Sequence, residues 1–231
     1  MPSGVPPDVP PCPCPPGTTP HYERGKGVVA TWCELGDGRK HGPYVEWWSP
    51  RQQRMRGQYQ FGGRTGTWLS WSTTGRRTRE IEFWEGDVHG RARFWYDSGH
   101  PWKNGEYRRN QEDGTWSWYH EGGGLWLQGS YISGKKHGIW KQWSKDGSVL
   151  GECSFDRGTG TEVVRFENGL IQSKIDYVSG LKHGEAMCWH ENGRKAFLQG
   201  WAHGRPAGRW VTWDEQGNVV KVEEHTAHNI G

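Results

Sequence analysis

A glycine recurs through this chain at a nearly fixed interval: Gly42, Gly66, Gly90, Gly114, Gly138, Gly160, Gly184 and Gly208. The spacing is 24 residues at every step but one, where it is 22. The chain is therefore read as eight copies of one short supersecondary piece. Each copy is too small to bury its apolar face except against its neighbours. Such a string spreads equivalent side chains along an axis, which builds a surface rather than a convergent pocket.

Counting from the ruler glycine, position two holds Tyr44, Trp68, Ala92, Trp116, Trp140, Glu162, Ala186 and Trp210. Position five holds Trp47, Trp71, Trp95, Tyr119, Trp143, Arg165, Trp189 and Trp213. A mid-repeat turn signal follows, as in Asp146-Gly147, Asn168-Gly169 and Asn192-Gly193, and a second glycine closes most repeats. Two turns per repeat leave two runs of about six to eight residues, which suits strands and not helices. Asn-Gly and Asp-Gly pairs tolerate the positive φ of hairpin turns. Each repeat is thus expected to be one β-hairpin, and the whole an all-β, elongated, twisted single sheet in meander order.

Two registers fit. With the turn centred on the Asn-Gly pair, Trp95 faces Trp102 and Tyr119 faces Trp126; centred one residue later, Trp68 faces Phe83 and Trp116 faces Tyr131. Positions two and five differ in parity, so in a regular strand they point to opposite faces unless a bulge intervenes.

The run Tyr131-Ile132-Ser133-Gly134-Lys135-Lys136-His137-Gly138-Ile139-Trp140, continued by Trp143 and Gly147, resembles MORN repeats. It is similar in particular to the variant form of the bacterial YwqK-family antitoxins. The resemblance covers about residues 30–222 and implies a β-hairpin array serving as a scaffold or binding surface, with no catalytic residues. The antitoxin label implies a protein that binds and neutralises a toxin. The better-known MORN pattern has a second Gly-x-Gly where this chain carries Trp140 and its equivalents, which weakens the case for a lipid-binding role.

The organisation expected is a Pro-rich disordered leader over 1–25, a repeat array over 26–222 and a polar tail over 223–231. The leader lacks the basic start and apolar stretch of a signal peptide. Hydrophobic residues make up 32% and mean hydropathy is −0.96, but 17 tryptophans supply the apolar area that aliphatic residues normally would. The formal charge of +3 is too balanced to imply nucleic-acid binding. No apolar run is long enough for a transmembrane helix. The arginines Arg76, Arg77, Arg79, Arg91, Arg93, Arg108 and Arg109 read as a solvated strand face or as a site for an anionic partner.

Of the five cysteines, Cys12 or Cys14 is placed to reach Cys33 and staple the leader to the first strand, which would imply an oxidising compartment, the cell envelope or outside; otherwise the chain reads as cytoplasmic. Cys153 and Cys188 lie three strands apart, about 14 Å, too far to bond. His41, His89, His137 and His183 sit two repeats apart, about 19 Å along a meander, too far for one metal ion. They are expected to close the inter-repeat turns by bonding backbone. Glu223, Glu224 and His225 read as solvated tail residues. Repeat six, with Glu162 and Arg165 in place of tryptophans, is either a decayed copy packed by Val163, Val164 and Phe166 or a notch used for binding.

No catalytic motif, metal set or cofactor site is expected. The binding candidates are Trp47, Trp71, Trp95, Trp143, Trp189 and Trp213. The alternatives are core packing of this row, a protein-binding face, and a ladder of platforms for glycan or cell-wall polymer. The terminal strand near Val219, Val220 and Val222 is expected to be covered by the tail or used for self-association.

Overall fold

The computed structural model describes residues 12–25 and 27–226, which form nineteen β-strands and no helix. No helix among them is long and apolar enough to cross a membrane. The chain divides into two compact halves, Met1–Gln111 and Glu112–Gly231. The first carries β1 (Thr19–Gly25), β2 (Val28–Glu34), β3 (Lys40–Ser49), β4 (Gln52–Gln60), β5 (Gly63–Trp71), β6 (Arg77–Trp84), β7 (Asp87–Trp95) and β8 (Pro101–Arg108). From β1–β2 to β7–β8, neighbours in this series pair antiparallel.

The second half follows the same rule. It carries β9 (Gln111–Tyr119), β10 (Leu125–Ile132), β11 (Lys135–Trp143), β12 (Val149–Asp156), β13 (Thr159–Arg165) and β14 (Ile171–Val178). The series continues with β15 (Leu181–Trp189), β16 (Lys195–Ala202), the two-residue β17 (Arg205–Pro206), β18 (Gly208–Trp213) and β19 (Val219–His225). Consecutive strands pair antiparallel except β17 and β18, which both pair with β16. The antiparallel hairpin meander expected from the repeat is what these residues form.

Two boundaries move. Residues 19–25, assigned above to a disordered leader, form β1, held by a full ladder to β2 from Thr19↔Glu34 to Gly25↔Val28. The expectation for residues 1–11 lies outside the described residues. At the other end β19 runs to His225, whose ring lies tilted against Trp210 with centroids 4.4 Å apart, so Glu223, Glu224 and His225 belong to a strand and not to a tail.

The turns exchange roles relative to expectation. The two-residue turns with positive φ at both positions are those between repeats, as at Ser133 (φ 49°) and Gly134 (φ 75°). The mid-repeat turns have positive φ only at their glycine, the geometry of a three-residue hairpin with a bulge. Their Asx side chains bond locally: Asn168 Oδ1 accepts from the Leu170 amide at 2.9 Å, and Asp146 Oδ1 from the Ser148 amide at 2.9 Å. The bulge shifts the register by one at the last step of each hairpin. Trp95 therefore meets Pro101 and not Trp102, and Tyr119 meets Leu125 and not Trp126. Before that step the pairing follows the register centred on the Asn-Gly equivalents. The other expected pairs, Trp68–Phe83 and Trp116–Tyr131, touch only diagonally, with centroids 5.9 and 6.4 Å apart.

These turn carboxylates predict an acid sensitivity. The Ser144 hydroxyl, then the Ser148 amide, hold Asp146 below its ordinary range; the Asn218 side chain does the same first for Asp214. A depressed folded-state value contributes stability that is present above the ordinary Asp range, about pH 4, and lost as pH falls through the folded value. Thermal melts are expected to show stability falling in that acid window. The fall should be smaller in D146N/D214N, which keeps the acceptor oxygens but removes the titration.

Candidate interaction surface

The ruler glycines adopt positive φ, from +64° at Gly66 to +99° at Gly90, with Gly160 at +156°. There the ladder slips: three residues of β5, Gly66 to Trp68, oppose the single Gly57 of β4. The slip swings the position-two side chain back over the preceding strand. A Cβ on Gly57 would lie 2.2 Å from the Trp68 indole, and one on Gly129 2.1 Å from that of Trp140. The position-two row is therefore core. Trp68, Trp116 and Trp140 are at most 3% exposed.

In the first half, rings run Trp32–Tyr44–Trp68–Phe83 with Tyr59 inserted edge-on; in the second, Trp118–Trp140–Phe155–Tyr177 with Tyr131 edge-on. Cations two residues before the ruler glycine lie across them. Lys40 Nζ is 4.3 Å from the Trp32 centroid, the Arg64 guanidinium 4.3 Å from Trp68, Lys136 Nζ 4.5 Å from Trp140 and Lys182 Nζ 4.7 Å from Trp201. Burial holds the Tyr44 hydroxyl above the usual phenol range, and its 2.6 Å bond to Glu46 adds to the effect.

The position-five row is different. Trp71, Trp95, Trp143, Trp189 and Trp213 stand at the ends of β5, β7, β11, β15 and β18 and are half-buried. Trp47, within β3, is buried, and its indole Nε1 has no acceptor among the described residues. The row is strung out, as equivalents in a meander must be. Its carbonyls accept from the preceding repeat: Trp48 Nε1 donates to Trp71 O at 3.1 Å, His120 Nε2 to Trp143 O and His190 Nε2 to Trp213 O at 3.0 Å. Basic side chains lie over several of its rings. Arg56 is 5.4 Å from Trp71, Arg77 5.8 Å from Trp95 and Lys195 5.8 Å from Trp213, while Arg54 is 4.8 Å from neighbouring Trp48.

In the first half the row borders two open clefts that share Trp48. One, of about 300 Å³, is lined by Arg24, Val28, Trp47 and Pro50; the other, of about 350 Å³, by Arg54, Met55, Trp71 and Arg79. Residues 1–111 hold 16 basic and 11 acidic residues, against 13 and 15 in 112–231. The +3 total thus conceals a basic half containing both clefts. Trp48, Arg54 and Arg56 did not stand out in the sequence; the Trp47-Trp48 doublet was the available signal.

Residues 112–133 and 136–157 match the MORN repeat variant. Those two segments are what the family model covers; the other repeats share the period but lie outside the match. These two copies span β9–β10 and the hairpin β11–β12, the stretch where the aromatic core row is best filled. No curated protein matches the chain.

The remaining expectations resolve as follows. His41, His137 and His183 do bond the inter-repeat turns, their Nδ1 atoms accepting from the amides of Phe61, Arg157 and His203 at 3.3, 3.3 and 3.5 Å. Cys14, not Cys12, bonds Cys33, and Cys153 and Cys188 are free. Repeat six is built rather than decayed. Glu162 pairs with Lys136 and accepts from the Tyr177 hydroxyl at 3.2 Å; Arg165 exchanges two bonds with Gln142. Beside it the β12–β13 ladder has only two rungs, Phe155↔Gly160 and Asp156↔Thr159. On β19, Val219, Val220 and Val222 are exposed.

Proposed function

We propose that this chain is a non-enzymatic, protein-binding MORN-repeat module that grips an acidic, aromatic-containing segment of a partner along the Trp–Arg row of residues 12–111. The observation that carries the reading is the division of labour between the two aromatic rows. Position two is spent on internal packing, whereas position five, Trp47 apart, remains half-exposed, and Trp47 and Trp71 each line one of two clefts in the more basic half. Trp and Arg are the side chains most enriched where binding energy concentrates. A guanidinium seated near an indole keeps donors for a carboxylate, as Arg54 and Arg77 already show in pairing with Glu46 at 3.1 Å and Glu80 at 3.0 Å. The same guanidinium occupies ring faces that a sugar would need, so the row fits a protein better than a glycan ladder.

Neutralising a toxin, as the antitoxin resemblance implies, is one form such binding takes. The Cys14–Cys33 bond supports an oxidising compartment, since structural disulfides persist there. The test is quantitative affinity capture from native extract with wild type and R54A/R56A/R79A side by side. A partner enriched by wild type and reduced at least tenfold by the triple variant is expected. Equal recovery by both, or binding instead to anionic vesicles or to glycans in a tryptophan-fluorescence titration, would overturn the reading.

A further inference from the structure

Three sulfur atoms meet where the leader crosses the first strands. Cys14 is bonded to Cys33 on β2, with Cα atoms 5.5 Å apart. Cys12 is a free, half-buried thiol two residues away, and the sulfurs of Cys12, Cys14 and Cys33 all lie within 4.8 Å of one another. Cys12 is held there rather than merely nearby. Its thiol donates to the Pro43 carbonyl on β3 at 3.3 Å. Pro15 anchors the next stretch against Gly42, where an added Cβ would come within 2.7 Å of the proline ring.

We propose that this cluster is an intramolecular thiol–disulfide exchange site, in which Cys12 and Cys14 compete for Cys33. The Cys12 thiolate attacks Cys33 Sγ. The Cys12–Cys33 bond forms as the Cys14–Cys33 bond breaks, Cys14 leaves as a thiolate, and the proton given up by Cys12 is taken up by Cys14. The step is redox-neutral and needs no outside oxidant or reductant. Attack on Cys14 instead would expel Cys33, which is fully buried and a poor place for a thiolate. Exchange therefore shifts the tether by two residues along the leader and keeps it attached to β2. It gives the start of the array two covalent registers. In the second, the contact of Pro15 with Gly42 must be remade.

The experiment uses the full chain. Wild type is incubated natively for hours, quenched in acid, unfolded and alkylated, and the label is placed by peptide fragmentation. Label at both Cys12 and Cys14 is expected. The second measurement is the free-thiol count of unfolded C14S made under oxidising conditions. Exchange partners able to reach each other leave two free thiols, Cys153 and Cys188, whereas an unreachable Cys33 leaves four. Label confined to Cys12 in wild type, or four thiols in C14S, overturns the proposal. Since the wild-type measurement involves no substitution, it stands even if C14S folds poorly.

Discussion

Replacing Gly129 with isoleucine, or Trp140 with alanine, is expected to destabilise the second half of the chain severely, and making both changes together to cost less than Trp140→Ala alone. The indole of Trp140 lies on Gly129 so closely that a Cβ there would sit 2.1 Å from ring carbon. No relaxation short of expelling the indole relieves that contact, so G129I should cost at least the 1–3 kcal/mol or so of an overpacked core. W140A removes a ring that touches Trp118, Tyr131 and Phe155, at about 3–5 kcal/mol. The rescue has a precedent within the chain. At the equivalent places β6 and β7 pair Ile81 with Ala92, and β14 and β15 pair Ile175 with Ala186, both alanines buried. The array thus fills the same space as Gly plus Trp or as Ile plus Ala. Urea unfolding of the four proteins measures the coupling. A favourable coupling of at least about 1 kcal/mol is expected. A double variant as unstable as the sum of the singles would show that the two strands do not share one volume.

That volume rule was half legible in the sequence. The alternation of Trp and Ala at position two is visible, and so is Gly57 or Gly129 one strand back from its tryptophan. Which residue packs on which depends on the ladder slip at the ruler glycine, and the slip depends on a positive φ that no residue count reveals. For the same reason parity showed only that positions two and five face apart. It could not say which face is core. The period itself, the hairpins and the meander followed directly from turn chemistry and run length.

The candidate surface was less legible. The tryptophans of position five were found because they repeat. Trp48, Arg54 and Arg56 do not repeat, so apart from the Trp47-Trp48 doublet nothing set them apart, and their importance rests on stacking distances. The strand β1 was missed because its residues, Thr19 to Gly25, are polar and lack alternation. Its pairing is imposed by β2 and by the Cys14–Cys33 bond. The choice between Cys12 and Cys14 was open in the sequence because both can reach Cys33, and the closeness of all three sulfurs explains why.

Repeat six supplies the second large effect. Glu162 stands where other repeats place a core tryptophan, and Lys136, two residues before the ruler glycine of repeat five, meets it. Both side chains are about four-fifths buried, at 20% and 17% exposed. Lys136→Met would leave Glu162 with the Tyr177 hydroxyl and no cation among the residues now paired with it. Breaking a buried pair from one side costs about 3–5 kcal/mol, and residual exposure lowers the expectation here to about 2–3. Glu162→Met should cost less. The ammonium it strands still lies 4.5 Å from the Trp140 centroid and 5.3 Å from that of Phe155, where the ring faces attract it. K136M/E162M removes both charges and fills the space with apolar chain, which is often neutral or better than the ion pair it replaces. The expected order of destabilisation in urea melts is therefore K136M, then E162M, then the double variant. Equal losses in the two singles would mean that the aromatic row gives the lysine no hold of its own. It would also reduce the run of cations along the core row from a second layer of the fold to a set of surface charges.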